Sequence, residues 1–219
     1  MNEGFPVFIT FEGPEGGGKT TQITELAHWL TAQGLSVRAT REPGGTPVGD
    51  QIRGVLLRPE NQMHAATEFL LYSASRAQLV NTLIRPHLER GGIVLCDRYA
   101  DSTLAYQGYG RGLDVSTLHM ITQFATGGLI PDLTLFLDID PEIGLKRREH
   151  SGEGLNRLDA EALDFHRRVR SGYLTLMNAD PERWIRIDAD QPLAAVQGTI
   201  RTVVQERLQQ RGILPDSAG

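Results

Sequence analysis

At 219 residues and 24.2 kDa the chain has the length of one domain, and its 40% apolar residues are enough to build a core. Twenty-seven acidic against 22 basic residues leave a net charge of −5, which argues against broad electrostatic binding to nucleic acid or to an anionic membrane. The one cysteine, Cys96, excludes an internal disulfide and a Cys-rich zinc site, and no run approaches the roughly 18 apolar residues of a transmembrane helix.

The N-terminal string MNEGFPVFITFEG has neither the basic nor the apolar region of a secretory signal, so a cytoplasmic protein is expected. Val7–Glu12 (VFITFE) is predicted as the first strand. Gly13-Pro14-Glu15-Gly16-Gly17-Gly18-Lys19-Thr20 follows it and fits G-x-x-x-x-G-K-[ST]. Of the 22 basic residues only Lys19 and Lys146 are lysines, and Lys19 stands directly after three glycines. A helix from about Lys19 to Gln33, stopped by Gly34, completes the strand–turn–helix context that a phosphate-binding loop needs. The glycines free backbone N–H groups to face a phosphate, and the helix N-terminus adds a favourable dipole. The nucleotide-binding set is therefore Gly13, Pro14, Glu15, Gly16, Gly17, Gly18, Lys19, Thr20 and Thr21, with the Thr20 hydroxyl on Mg²⁺.

Ser36–Thr40 reads as a second strand, followed by a Gly/Pro loop over Arg41–Pro47 and a helix at Val48–Leu57. Ala65–Arg90 is a long helical pattern expected to bend or break near Pro86. Gly91-Gly92 stops it, and Ile93–Asp97 (IVLCD) forms the third strand. An acid after four apolar residues at a strand end makes Asp97 the second Mg²⁺ residue, direct or through water. Arg98 beside it is expected to face an anion. Helical segments run on to Ala125, then Gly127-Gly128 and the fourth strand, Leu133–Asp138. Pro141 opens the helix Glu142–Arg148, and Ser151–Gly154 is a Gly/Ser interruption expected to be mobile. Asp159–Asn178 is helical, Trp184–Asp188 is the fifth strand, Leu193–Arg211 is the last helix, and Pro215–Gly219 is expected to fray. Alternating strands and helices imply an α/β fold: a five-stranded parallel sheet with helices on both faces and ligands at the strand carboxyl ends.

The strings FEGPEGGGKTT, REPGG, FLLYSASRAQLV, DRYADSTLAYQGYGRG and PDLTLFLD, in this order, closely resemble bacterial thymidylate kinases of the P-loop nucleoside monophosphate kinase superfamily. The resemblance runs from Val7 to about Arg207 and implies a single domain over 1–219 with a P-loop NTPase fold. It further implies transfer of the ATP γ-phosphoryl group to dTMP, giving dTDP and ADP on the way to dTTP, with a homodimer as the working form. By the same resemblance Glu15 lies near the sugar 3′-hydroxyl, and Arg53 and Arg98 bind the monophosphate. Tyr72 stacks on thymine, where relatives more often carry Phe, so its hydroxyl needs a partner. Arg76 bonds a base carbonyl, Thr103 and Gln107 sit at the base edge, and Tyr106 disfavours a 2′-hydroxyl. Tyr72 and Arg76 are four apart and share a helix face, although an aromatic at such spacing is usually a core residue.

The lid is expected at about 145–157 (LKRREHSGEGLNR). The P-loop has no base besides Lys19, and in the family it resembles, members without a P-loop arginine use lid arginines; the resemblance therefore implies that Arg157 or Arg147 joins Lys19 and Arg98 in neutralising the transferring phosphoryl group. Two alternatives remain open at this point. A nucleoside kinase would need a base for the 5′-hydroxyl, which Glu42 could supply. A GTPase switch would need an N-K-x-D string, which is missing. No metal spacing is visible among the six histidines.

Overall fold

The computed structural model describes residues 6–152, 154 and 156–215. Five strands, β1 (Val7–Glu12), β2 (Val37–Arg41), β3 (Ile93–Asp97), β4 (Leu133–Asp138) and β5 (Trp184–Asp188), pair in parallel in the order β2-β3-β1-β4-β5. Every residue of β1 and β4 is buried, which is why these strands read as mostly apolar rather than alternating: helices cover both faces. β2 is an edge strand, and its Arg38 and Arg41 are exposed.

The helices are α1 (Lys19–Ala32), α2 (Pro47–Leu57), α3 (Ala65–Leu79), α4 (Arg85–Leu88), α5 (Ala100–Thr103), α6 (Val115–Thr126), α7 (Pro141–His150), α8 (Leu163–Ala179) and α9 (Leu193–Gln210). On one face of the sheet, Ile23, Leu26 and Leu30 of α1 and Ile200, Val204 and Leu208 of α9 pack on Ile9, Phe11, Leu95 and Leu135. On the other, Leu79, Val80 and Ile84 meet Phe8 and Val94, while Phe165, Val169 and Tyr173 of α8 meet Phe136.

The long helical pattern runs unbroken to Leu88, widening upstream of Pro86 into a π-helical stretch at Val80–Ile84 where the Arg85 N–H bonds the Val80 carbonyl five residues back. Pro86 has no N–H for the Thr82 carbonyl, and the widened turn absorbs that loss. A second π stretch, Leu104–Gly110, separates α5 from α6, and Asp114 caps α6 through the Thr117 N–H. α8 starts at Leu163, later than the predicted Asp159, because the Asp159 carboxylate is used in the turn that precedes it, accepting from the Asn156 N–H and from Arg148. α7 runs two residues past the predicted Arg148, to His150. Of the expected Gly/Ser interruption, Glu153 lies outside the described residues, as does Leu155 of the predicted lid; so do 216–219 of the tail.

β1 lies at the centre, and the chain crosses from one side of it to the other between β3 and β4. The turns after β1, β2 and β3 therefore meet at one edge. The register puts Phe11, Asp97 and Arg41 level there. That switch point is where an open α/β sheet takes its ligand.

Candidate active site

The P-loop leaves β1 into the N-terminus of α1. Gly13 has φ 137° and a Cβ there would stand 2.3 Å from the Leu137 carbonyl oxygen; Gly16 has φ 70° and would meet the Gly144 carbonyl oxygen at 2.0 Å. Only glycine permits both the conformation and the close approach. Gly144 is equally tight on the Glu15 carbonyl, so α7 sits directly on the loop. Lys19 is buried and its Nζ donates to the carbonyls of Gly13 (3.1 Å) and Pro14 (2.7 Å). Burial and the neighbouring Arg98 charge pull its pKa down to about 8. Fixed this way, the ammonium is held at the mouth of the loop.

The Thr20 hydroxyl donates to Asp97 Oδ2 at 2.6 Å, so the two residues expected at Mg²⁺ are brought together. A hydroxyl and a carboxylate oxygen side by side are hard donors suited to that ion. Among the described residues no three His, Cys, Asp or Glu side chains converge to hold a metal. Two protein oxygens with the remaining positions left to water and phosphate is the usual arrangement for Mg²⁺ at a nucleotide.

Arg98 is the only non-glycine at positive φ (67°) among the described residues. That conformation costs energy, and such residues cluster at functional sites. It turns the guanidinium back across the P-loop. Nη1 donates to the Gly13 carbonyl (2.9 Å) and the Tyr173 hydroxyl (3.1 Å), Nη2 donates to Glu15 Oε1 (2.8 Å), and the cation lies 4.9 Å from the Tyr106 ring centre. The Cys96 thiol, buried as expected, donates to the Arg98 carbonyl at 3.0 Å. Burial works against ionising Glu15, but the Arg98 and Lys19 charges and the Tyr106 hydroxyl (3.0 Å) hold its pKa at about 2.

Behind Arg98 lies a brace that sequence reasoning missed. Glu12, fully buried at the end of β1, accepts from the Tyr99 N–H (2.8 Å), the Ser102 hydroxyl (2.5 Å) and the Tyr173 hydroxyl (2.9 Å). Burial and the nearby Asp101 push its pKa up to about 7. Glu12 stood in plain sight beside the P-loop, but Tyr173 is 161 residues away and nothing local announces it.

Beside the P-loop opens a cleft. Its walls bring together Glu15, Arg53, Tyr72, Arg76, Arg98, Thr103, Tyr106 and Gln107, which is the full substrate set expected from the sequence. Arg76 is 1% exposed; Nε donates to Glu42 Oε2 (2.8 Å), Nη1 to Thr103 Oγ1 (2.9 Å) and Nη2 to the Tyr99 carbonyl (3.0 Å). Glu42 thus has one oxygen committed to holding Arg76, which weakens its case as a free base. The Glu42–Pro43 peptide is cis, and the Pro43 carbonyl accepts from Arg53 Nη1 at 2.9 Å. Tyr72 is half-buried against the apolar cluster that includes Tyr106, Phe165 and Leu158, and among the described residues its hydroxyl has no hydrogen-bond partner. The partner expected for that extra hydroxyl is therefore not found among the described residues.

Arg147 and Arg157, the arginines expected from a lid, are bonded away from the P-loop. Arg147 donates to the Ala189 carbonyl (2.8 Å) and Asp190 (2.7 Å). Arg157 donates to the Leu56 carbonyl (3.0 Å) and Glu68 (2.5 Å), beside the part of the cleft that Asn156 and Leu158 line. Sequence reasoning placed both on one flexible arm and had no means of seeing Glu68 or Asp190, which lie 89 and 43 residues away.

A family model described as thymidylate kinase matches residues 11–200 of the chain. A thymidylate kinase of Deinococcus radiodurans is 53% identical over 207 residues, covering 94% of this chain and 99% of that protein. One from Roseiflexus castenholzii is 53% identical over 215 residues, covering 92% of this chain and 94% of that protein. Among solved structures, a thymidylate kinase from Ehrlichia chaffeensis is similar with a TM-score of 0.75 at 32% identity, over 91% of this chain and 98% of that one.

Proposed function

The chain belongs to the thymidylate kinase family, and from that premise we propose that its cleft takes dTMP and its P-loop takes ATP, so that the γ-phosphoryl group passes to dTMP to give dTDP and ADP. The observation that carries the reading is Arg98, whose guanidinium touches the P-loop at Gly13 and lines the cleft at the same time. A cation in that position serves both the donor and the acceptor phosphate. The acceptor is a phosphate oxygen that is already ionised, its second pKa being about 6, so no general base is needed. Catalysis then consists of bringing two anions into line and neutralising them, which Lys19, Arg98 and a lid arginine do. Thr20 and Asp97 would hold Mg²⁺, which when bound draws charge from the phosphate oxygens. The reading treats the chain as one domain with the P-loop at 13–20 and the lid at about 145–157.

A coupled ADP-release assay with ATP and Mg²⁺ across dTMP, dUMP, UMP, dCMP, AMP and GMP tests it. The reading expects dTMP to lead. Turnover of thymidine in place of dTMP would restore the nucleoside-kinase alternative, and GTP binding without transfer to dTMP the GTPase one.

Arg147 and Arg148 lie three and four residues beyond Gly144, the residue that packs on the P-loop, and so share its helix face. Arg147 is half-exposed and paired with an exposed acid, a contact that is easily given up; Arg157 is bonded to a buried one, which is not. We expect Arg147→Ala to lower kcat by about 10- to 100-fold with little change in the KM for dTMP. That falls below the roughly 10³–10⁵ of a dedicated arginine finger because Arg148 adjoins it. Arg157→Ala should act mainly on dTMP binding. Steady-state kinetics that give the reverse pattern would return the role to Arg157.

Arg76→Ala should raise the KM for dTMP about 5- to 150-fold, far more than that for ATP, since an unpaired buried carbonyl costs about 1–3 kcal/mol. Equal effects on both substrates would move Arg76 away from the base. Tyr106, anchored by its hydroxyl to Glu15, closes the sugar end of the cleft. Tyr106→Ala should raise the UMP-to-dUMP turnover ratio; an unchanged ratio means the ring does not exclude a 2′-hydroxyl.

A homodimer fits the surface formed by α2, α3 and α6, where Val48, Val55, Leu70, Met120 and Phe124 (89% exposed) stand out. Exposed apolar groups of this kind mark interfaces. A cytoplasmic setting, with its ATP supply, completes the reading.

A further inference from the structure

We infer that Glu68 is a positioning residue for base recognition: its buried carboxylate decides which way the Gln107 amide faces, and so which pyrimidine edge the cleft accepts. The inference rests on the proposal that the cleft binds dTMP. Glu68 lies on the first turn of α3, 1% exposed, beneath the base end of the cleft. Its Oε1 accepts from Gln107 Nε2 (2.8 Å) and Arg111 Nε (3.3 Å), and its Oε2 accepts from Arg111 Nη2 (3.1 Å) and Arg157 Nη2 (2.5 Å). Burial works against the ionised form, but the bonds from Arg111 and Gln107 and the arginine charges outweigh it and lower the pKa. An ionised carboxylate accepts only.

Gln107 must therefore offer its NH₂ to Glu68. The flipped amide would set carbonyl oxygen against carboxylate oxygen, lone pair against lone pair. The Gln107 side chain lines the cleft, and among the described residues its amide bonds through Nε2 to Glu68 while no donor reaches its Oε1. Arg76, which lines the same cleft and bonds Thr103 four residues before Gln107, is donor-only and carries one Nη1 hydrogen beyond that bond. The wall thus shows a donor beside an acceptor. The imide edge of thymine or uracil matches it, with O4 accepting and N3–H donating. Cytosine presents the opposite pair, a donor at N4 and an acceptor at N3. A neutral glutamine at position 68 could donate or accept, and would release the amide of Gln107 to turn either way.

Calorimetric Kd values for dTMP, dUMP and dCMP on wild type and Glu68→Gln test this. Wild type should prefer dTMP and dUMP. In the variant the dTMP-to-dCMP affinity ratio should fall by at least about tenfold, the cost of mispaired buried polar groups having been relieved. The dTMP-to-dUMP ratio should stay unchanged, since both bases carry the same edge. Arg76 keeps part of the discrimination. Parallel weakening of all three would mean that Glu68 only supports the fold and would overturn the inference. If wild type binds none of them, the proposed substrate is wrong, a separate outcome.

Should Glu68→Gln not fold, the side-chain amide of Gln107 in wild type decides by ¹⁵N NMR, its signal identified by its loss in Gln107→Leu. Held by Glu68, those protons should exchange slowly with solvent and hardly shift as dTMP saturates the cleft. A large shift on dTMP binding would show the NH₂ facing the base, and the inference would fail.

Discussion

Lys19→Ala is expected to lower kcat by about 10²–10³ at saturating ATP and dTMP, the usual effect of removing one preorganised charge from a transition state. Lys19 is the only base in the stretch 13–20, and the one other lysine in the chain is Lys146. Two fixed carbonyls hold its Nζ, so the charge is in place before substrate arrives and little reorganisation is needed. The fold should survive. The lysine is buried at a cost, reflected in its lowered pKa, and the core packs without it. A thermal melt close to wild type alongside the lost rate separates chemistry from misfolding. Wild-type turnover in the variant would falsify the nucleotide-site assignment.

Arg98→Ala should do more. It removes the cation that, among the described residues, both touches the P-loop and lines the cleft, so on the proposed reading both donor and acceptor phosphates lose a partner, and kcat/KM for dTMP should fall by more than about 10³. It also leaves the Glu15 carboxylate, held ionised by Arg98, without its closest charge. Breaking such a mostly buried pair from one side costs roughly 3–5 kcal/mol, so a lower melting temperature should accompany the lost rate. Arg98→Lys separates the two effects. It restores a charge against Glu15 but cannot reach Gly13, Tyr173 and Glu15 at once, because the ammonium lacks the planar fork. Stability should largely return while activity returns only in part. If the lysine variant recovers both in full, the fork geometry at Arg98 is irrelevant.

The brace behind Arg98 explains why its conformation holds. A lone arginine at φ 67° would relax, but Glu12, Ser102 and Tyr173 join β1, α5 and α8 beneath it. The strain is local, and the hydrogen bonds that hold it come from three separate segments.

By itself the sequence determined the element order, the P-loop and its helix, and the acid and arginine that end β3. These rest on contacts within a few residues: apolar runs of strand length, glycines that must take φ above zero, and a helix that starts where a phosphate is to be met. The cleft set from Glu15 to Gln107 was legible only through resemblance to a family, since a tyrosine four residues before an arginine is by its spacing an ordinary helix face. The tertiary structure alone decided the partners. Arg76 meets Glu42 34 residues away, Gln107 meets Glu68 39 away, and Arg157 turns to Glu68 rather than to the P-loop. A charged side chain in sequence shows only that it needs a counterpart. Which one it finds depends on how sheet and helices pack, and a long, flexible arginine in a chain with 27 acids has many to choose from.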